Sequence, residues 1–139
     1  MNSALTLIDA SAFWRLASPD LDGARRAELA ERVAQGHVAA STPLLLETRA
    51  GRALPAADPA DLPLLWITER AEQRAADAQL QRRAAHQHLG VPPMDYLIAA
   101  IAETHRAILL HYDADFSRMI AHTDLALREE LLAPLGTLP

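Results

Sequence analysis

No cysteine occurs anywhere in the 139 residues. Disulfides, thiolate zinc sites and cysteine nucleophiles are excluded together, and such a composition is ordinary in a reducing compartment, which makes the cytoplasm the expected location. Long apolar runs are missing as well. No segment approaches the roughly 20 apolar residues needed to span a bilayer, and Met1 to Asp9 has neither the basic start nor the apolar core of a signal peptide. A soluble protein without a membrane partner is expected. The chain also lacks a glycine-rich phosphate loop, a Ser-His-Asp order of the hydrolase kind and a helix-turn-helix with a basic face. Basic charge is short: the formal net charge is -5, which argues against phosphate binding by a broad positive surface. That objection weakens if several acids converge on bound divalent cations, which reverse the local field while the thirteen arginines contact a nucleic-acid backbone elsewhere.

What is present is enough for one compact domain. Half of the residues are hydrophobic, the length suits a single core, and residues 1–139 are expected to form a single domain. Ala4 to Ile8 reads as a short buried strand that stops at Asp9, placing a polar residue at the strand's carboxyl end, where sites in α/β sheets are built. Ser11 is a candidate cap for a short helix carrying Phe13, Trp14 and Leu16. The spacing predicts a helix over Leu21 to Gln35 that stops at Gly36, a strand over His37 to Ala40, and a helix opened by Thr42 as cap with Pro43 in its first turn. Residues 54–63 hold three prolines and two aspartates and read as a loop. Leu64 to Ile67 is a third strand, Glu69 to His88 a long helix ended by Gly90, and Met94 to His105 an apolar core helix. Ala107 to Leu110 is the next buried strand, followed at once by Tyr112, Asp113 and Asp115. Repeated strand, polar residue and helix units give an α/β domain with a mostly parallel central sheet flanked by helices.

Four acids interrupt otherwise apolar or uncharged segments: Asp9 and Asp113 after strands, Asp95 in the first turn of the apolar helix, and Glu47 within Thr42 to Leu54. Parallel strands put Asp9 and Asp113 at one edge of the sheet. Clustered carboxylates repel one another and take up protons unless hard divalent cations hold them ionised, so such a pocket suits magnesium or manganese. These ions activate water and clamp the oxygens of a phosphodiester during in-line displacement, with no protein nucleophile. Each acid also fits a structural role. Asp9 and Asp113 suit turns or caps, Asp95 suits a helix cap, and Glu47 suits an ion pair with Arg49 or Arg52.

The motifs resemble a known family. Leu7-Ile8-Asp9-Ala10-Ser11-Ala12-Phe13 is similar to the opening of PIN domains, Leu44-Leu45-Leu46-Glu47 to their second acidic motif, and Met94-Asp95-Tyr96-Leu97-Ile98-Ala99-Ala100 to their third. His111-Tyr112-Asp113-Ala114-Asp115-Phe116 resembles the fourth in the form found among VapC-type toxins. The resemblance covers nearly the whole chain. It implies a PIN-like three-layer fold with Asp9, Glu47, Asp95 and Asp113 as metal-binding, catalytic acids, and with Ser11 and Asp115 as accessories. It also implies an Mg2+- or Mn2+-dependent endoribonuclease acting on transfer or ribosomal RNA, a homodimer, and a cognate VapB-type antitoxin through which alone operator DNA is bound. The chain departs from the pattern at Leu89, where an arginine is expected, and at Ser117, where an aspartate is expected. A catalytically inactive PIN module acting by protein or RNA binding is the alternative, and the complete acidic set counts against it.

Other features have structural readings. His86 and His88, two residues apart on a helix, face different ways, so zinc is not expected. His111 suits either phosphate contact or packing at a strand end. Arg70, Arg74, Arg82 and Arg83 read as a solvated helix face, or else as an RNA or antitoxin surface. Trp14 and Trp66 read as core or interface, with base stacking as the alternative. Apolar residues in Leu64 to Ile67 and Ala71 to Leu80 are candidates for a dimer surface.

Overall fold

The computed structural model describes residues 4–51, 53, 55 and 57–139. Five strands form one sheet in the order β3-β2-β1-β4-β5, every neighbouring pair parallel. They are β1 (Thr6–Ile8), β2 (Val38–Ser41), β3 (Leu64–Leu65), β4 (Ile108–His111) and β5 (Arg128–Leu131). The helices are α1 (Ala10–Phe13), α2 (Gly23–Ala34), α3 (Thr42–Arg49), α4 (Glu69–Ala84), α5 (Pro93–Thr104) and α6 (Ala114–Ile120). Among the described residues no helix is long and apolar enough to cross a membrane.

The sheet is covered on both faces, which is why its central strands read as continuous apolar runs. On one face Leu7, Ala39 and Leu109 pack with α4, α5 and α6 through Ala78, Ile98 and Phe116. On the other, Ile8, Val38, Ala40 and Leu110 pack with Phe13, Leu29 and Leu44 of α1, α2 and α3. The α4–α5 contact is made by alanines: Ala71, Ala78, Ala99, Ala100 and Ala102 are all fully buried, and such short side chains let two helices approach closely. From β1 the chain builds outward to β2 and β3, then crosses back to lay β4 on the other side of β1. The strand order therefore reverses between β1 and β4, where an open α/β sheet leaves a crevice outside its carboxyl ends.

Helix boundaries differ from the sequence reading by one local preference winning over another. Asp9, not Ser11, caps α1, its carboxylate accepting from Ser11 N, and Ser41, not Thr42, caps α3, leaving Thr42 in the first turn. Helix α4 ends at Ala84, short of His88 and Gly90. There His86 takes the left-handed conformation at φ 58°, while Gln87 N bonds Arg82 O at 2.8 Å and His86 N bonds Arg83 O at 3.0 Å. This is the same paired closure that Gly36 makes at the end of α2; here hydrogen bonding outweighs the cost of about 1–2 kcal/mol that a side chain adds in that conformation. Helix α6 and strand β5 lie beyond the elements that the sequence pattern indicates.

Trp14 and Trp66 are 42% and 68% exposed, so of their expected places the core is ruled out and the interface is not. Arg82 is no part of a solvated face: it is 3% exposed, and its guanidinium donates to the carbonyls of Arg118, Ala121 and Gln87, tying the end of α4 to the end of α6. Arg82→Ala is expected to cost about 3 kcal/mol of unfolding free energy in urea titrations, because three carbonyls lose a charged donor inside the protein. Arg82→Lys, which lacks the forked geometry, recovers only part of it.

Candidate metal centre

Strand β1 ends at Ile8, and Asp9 N bonds Leu110 O at 2.9 Å, so the first acid is locked against β4 at the reversal point. Its Oδ2 accepts from both Ser11 N at 3.0 Å and Ser11 Oγ at 2.6 Å. Ser11 Oγ in turn accepts from Tyr112 N at 2.9 Å. One hydroxyl thus joins the ends of β1 and β4 and fixes one side of the Asp9 carboxylate. Asp113 caps α6 by accepting from Asp115 N at 2.9 Å. Asp95 enters from the first turn of α5, which starts at Pro93 where a missing N–H costs nothing.

These placements bring one carboxylate oxygen each from Asp95, Asp113 and Asp115 within 4.8 Å of one another. Asp95 is buried, and its Oδ2 has no hydrogen-bond partner among the described residues. An orphaned buried carboxylate oxygen is costly unless a cation completes it. Burial is the main cause that pushes the Asp95 carboxyl up to about 7, with repulsion from Asp9, Asp113, Glu47 and Asp115 adding to it. Glu47, half-buried on α3, is raised in the same direction by its own burial and then by the Asp9 carboxylate. All five acids therefore share one field. Asp95, Asp113 and Asp115 form its tight group, while Asp9 and Glu47 act from the β1 and α3 side. Asp115, assigned an accessory role on sequence, stands inside the tight group and is paired with the exposed Arg118 guanidinium. Among the described residues Glu47 has no salt bridge with Arg49, and the alternative partner Arg52 lies outside them.

His111 is packed. It is fully buried, its ring tilted on Phe116 at 5.0 Å between centroids, and its Nδ1 accepts from Asp113 N at 3.2 Å. Two of the four arginines of α4 serve the fold, buried Arg82 and Arg74, which bonds Glu103 at 2.7 and 2.9 Å. Sequence reasoning missed the contribution of β5. Its Glu129 faces His111 Nε2 at 3.4 Å, and nothing local in Arg128-Glu129-Glu130-Leu131 signals this, because only strand pairing brings the two together.

A family model for the PIN domain matches residues 6–121. The chain belongs to the PIN-domain family. No curated protein matches it in sequence. Solved structures with the PIN fold are similar to it. A chain of the DNA-bound VapBC of Salmonella typhimurium aligns at 14% identity and a TM-score of 0.68, covering 94% of this chain and 100% of that one. VapBC2 of Rickettsia felis, bound to a promoter DNA fragment, gives 14% and 0.68, with coverages of 91% and 98%. VapBC-5 of Mycobacterium tuberculosis gives 21% and 0.61, with 93% and 98%. At these identities the likeness is one of fold.

The raised Asp95 carboxyl sets the pH behaviour of the metal-free PIN domain. Its folded-state value lies above the unfolded one, so the folded protein holds the proton more tightly, and this contribution to stability is lost as pH rises from about 4 towards about 7. A divalent cation must displace that proton below about 7. The rise in melting temperature on adding Mg2+ or Mn2+ is therefore expected to be small at about pH 5 and large at about pH 8. Thermal melts with and without metal across that range measure it; a pH-independent shift would contradict the assignment.

Proposed function

We propose that this chain is a divalent-metal-dependent endoribonuclease, the VapC-type toxin of a VapBC-like toxin–antitoxin pair, acting as a single PIN domain in the cytoplasm. The observation that carries the reading is the buried Asp95 carboxylate, whose unpartnered Oδ2 lies beside Asp113 and Asp115 at the reversal point of the sheet. Family membership supports nuclease chemistry. The similar VapBC structures support a protein antitoxin as partner; operator DNA would be bound through that antitoxin.

Asp95, Asp113 and Asp115 would hold Mg2+ or Mn2+, with Asp9 and Glu47 completing the acidic pocket; these are oxygen donors of the kind hard cations prefer. Bound there, such a cation supplies activation of water and neutralisation of charge on a phosphodiester. The residues of the chain do the rest. Ser11 keeps Asp9 Oδ2 occupied and the carboxylate in one orientation. The Asp113 cap and the Asp115–Arg118 pair hold two more carboxylates at the start of α6. Until metal binds, Asp95 relieves the crowding by keeping its proton up to about 7. Trp14, Leu46 and Met94, close in sequence to Asp9, Glu47 and Asp95, are exposed and offer apolar surface for RNA or antitoxin. The substrate class is transfer or ribosomal RNA, and the working assembly is a homodimer.

Two predictions test this. Cleavage of total cellular RNA by antitoxin-free protein with Mg2+ or Mn2+ should yield discrete fragments that disappear with EDTA and with Asp95→Asn. A folded protein that neither cleaves RNA nor binds Mn2+ would favour the catalytically inactive PIN module instead. Separately, Asp95→Asn should melt at a higher temperature than the wild type in metal-free buffer above about pH 7, since it removes one of several mutually repelling charges while keeping shape. Equal or lower metal-free melting would sink the claim that Asp95 is the strained member.

A further inference from the structure

Strand β5 alternates two glutamates between the faces of the sheet, and each has a separate task. Glu130 faces α2, where Arg25 and Arg32 bind it at 2.7 and 2.9 Å and anchor the edge strand. Glu129 is level with Leu109, two residues before His111, and so shares the face on which His111 and α6 pack. Its Oε1 accepts from Ser117 Oγ on α6 at 2.9 Å. Its Oε2 lies 3.4 Å from His111 Nε2, a buried nitrogen that makes no hydrogen bond of good geometry. On the other side of the ring, Nδ1 accepts the Asp113 N–H. A neutral imidazole that accepts at Nδ1 must carry its proton on Nε2, and the carboxylate facing Nε2 favours the same tautomer.

We infer that Glu129 is a positioning residue for the carboxylate site. It holds His111 as the Nε2–H tautomer, and that ring fixes the backbone of Asp113, whose carboxylate and cap orient Asp115 beside Asp95. The inference rests on the reading of these acids as a metal centre. It also gives Ser117 a purpose: an aspartate there would set a second carboxylate against Glu129, whereas the hydroxyl donates to it and keeps it aimed at the ring. Glu129 touches neither substrate nor cation; it acts through His111, as partners of metal-site ligands commonly do.

The test uses the 15N-labelled full chain and Glu129→Ala and Glu129→Gln variants, with two readouts. Long-range 15N–1H spectra at about pH 8 report the His111 tautomer, and Mn2+ paramagnetic resonance titrations report affinity. Wild type should show the Nε2–H form. Glu129→Ala, with only the Asp113 amide left to favour that form, should show a smaller share of it, a shift of the Asp113 amide, and Mn2+ affinity weaker by about 10- to 100-fold. Glu129→Gln, whose amide oxygen can still face Nε2–H while its amino group donates to Ser117, should stay close to wild type in both. An unchanged tautomer or unchanged Mn2+ affinity in Glu129→Ala overturns the positioning role, as does a Glu129→Gln protein as weak as Glu129→Ala. A wild-type protein that binds no Mn2+ overturns the metal-centre reading beneath it.

Discussion

Carboxylates crowded at one buried point repel, and the rest of this molecule is organised around making that crowding tolerable. A lone aspartate at the surface ionises far below neutral pH; Asp95, screened from water and facing four other acids, holds its proton up to about 7. The fold could have relieved the strain by turning one side chain outward. Instead Asp9 is locked by Ser11 and Asp113 by its cap on α6, and Asp95 is packed into the first turn of a helix that is otherwise core. Rigid like charges of this kind are a standing liability for an apo protein and an asset once a divalent cation arrives.

The parallel sheet is the device that makes the rigidity possible. Because β1 and β4 run side by side in the same direction, Asp9 and the His111 to Asp113 turn emerge at the same edge without any loop having to reach. Reversal of strand order at that pair opens the crevice into which α5 delivers Asp95. Burial on both faces then prevents the strands from slipping, since a shift of one residue would move Leu109 and Leu110 to the wrong layers. The arginines tell a related story. Several that look like a solvated or nucleic-acid-binding series serve the fold, Arg82 by capping carbonyls inside it and Arg74 by clamping Glu103.

Much of this was legible in the order of residues. Apolar runs that end abruptly on acids revealed β1 and β4, and the breaker-free apolar stretch after Pro92-Pro93 revealed α5, because a strand buried on both faces and a core helix leave unmistakable local compositions. The acids were visible for the same reason: each stands where its neighbours are apolar. The motif resemblance and the matched PIN family model agree with that reading. The ends of helices were less legible, since His86 and Ser41 took positions that Gly90 and Thr42 fit as well by local chemistry.

The sequence by itself therefore determined β1 to β4 and the core helices, and which acids are set apart. Only the tertiary structure decided how those acids share one field: that Asp115 joins Asp95 and Asp113 in the tight group while Glu47 stands back with Asp9. It alone disclosed β5, because a strand made of Arg128-Glu129-Glu130-Leu131 has no apolar face to announce it and exists by pairing with β4 and by the arginines of α2. The physical reason is range. Periodicity and capping act within a few residues and are written locally, whereas a carboxylate's ionisation and a histidine's tautomer depend on groups brought near by folding from distant parts of the chain.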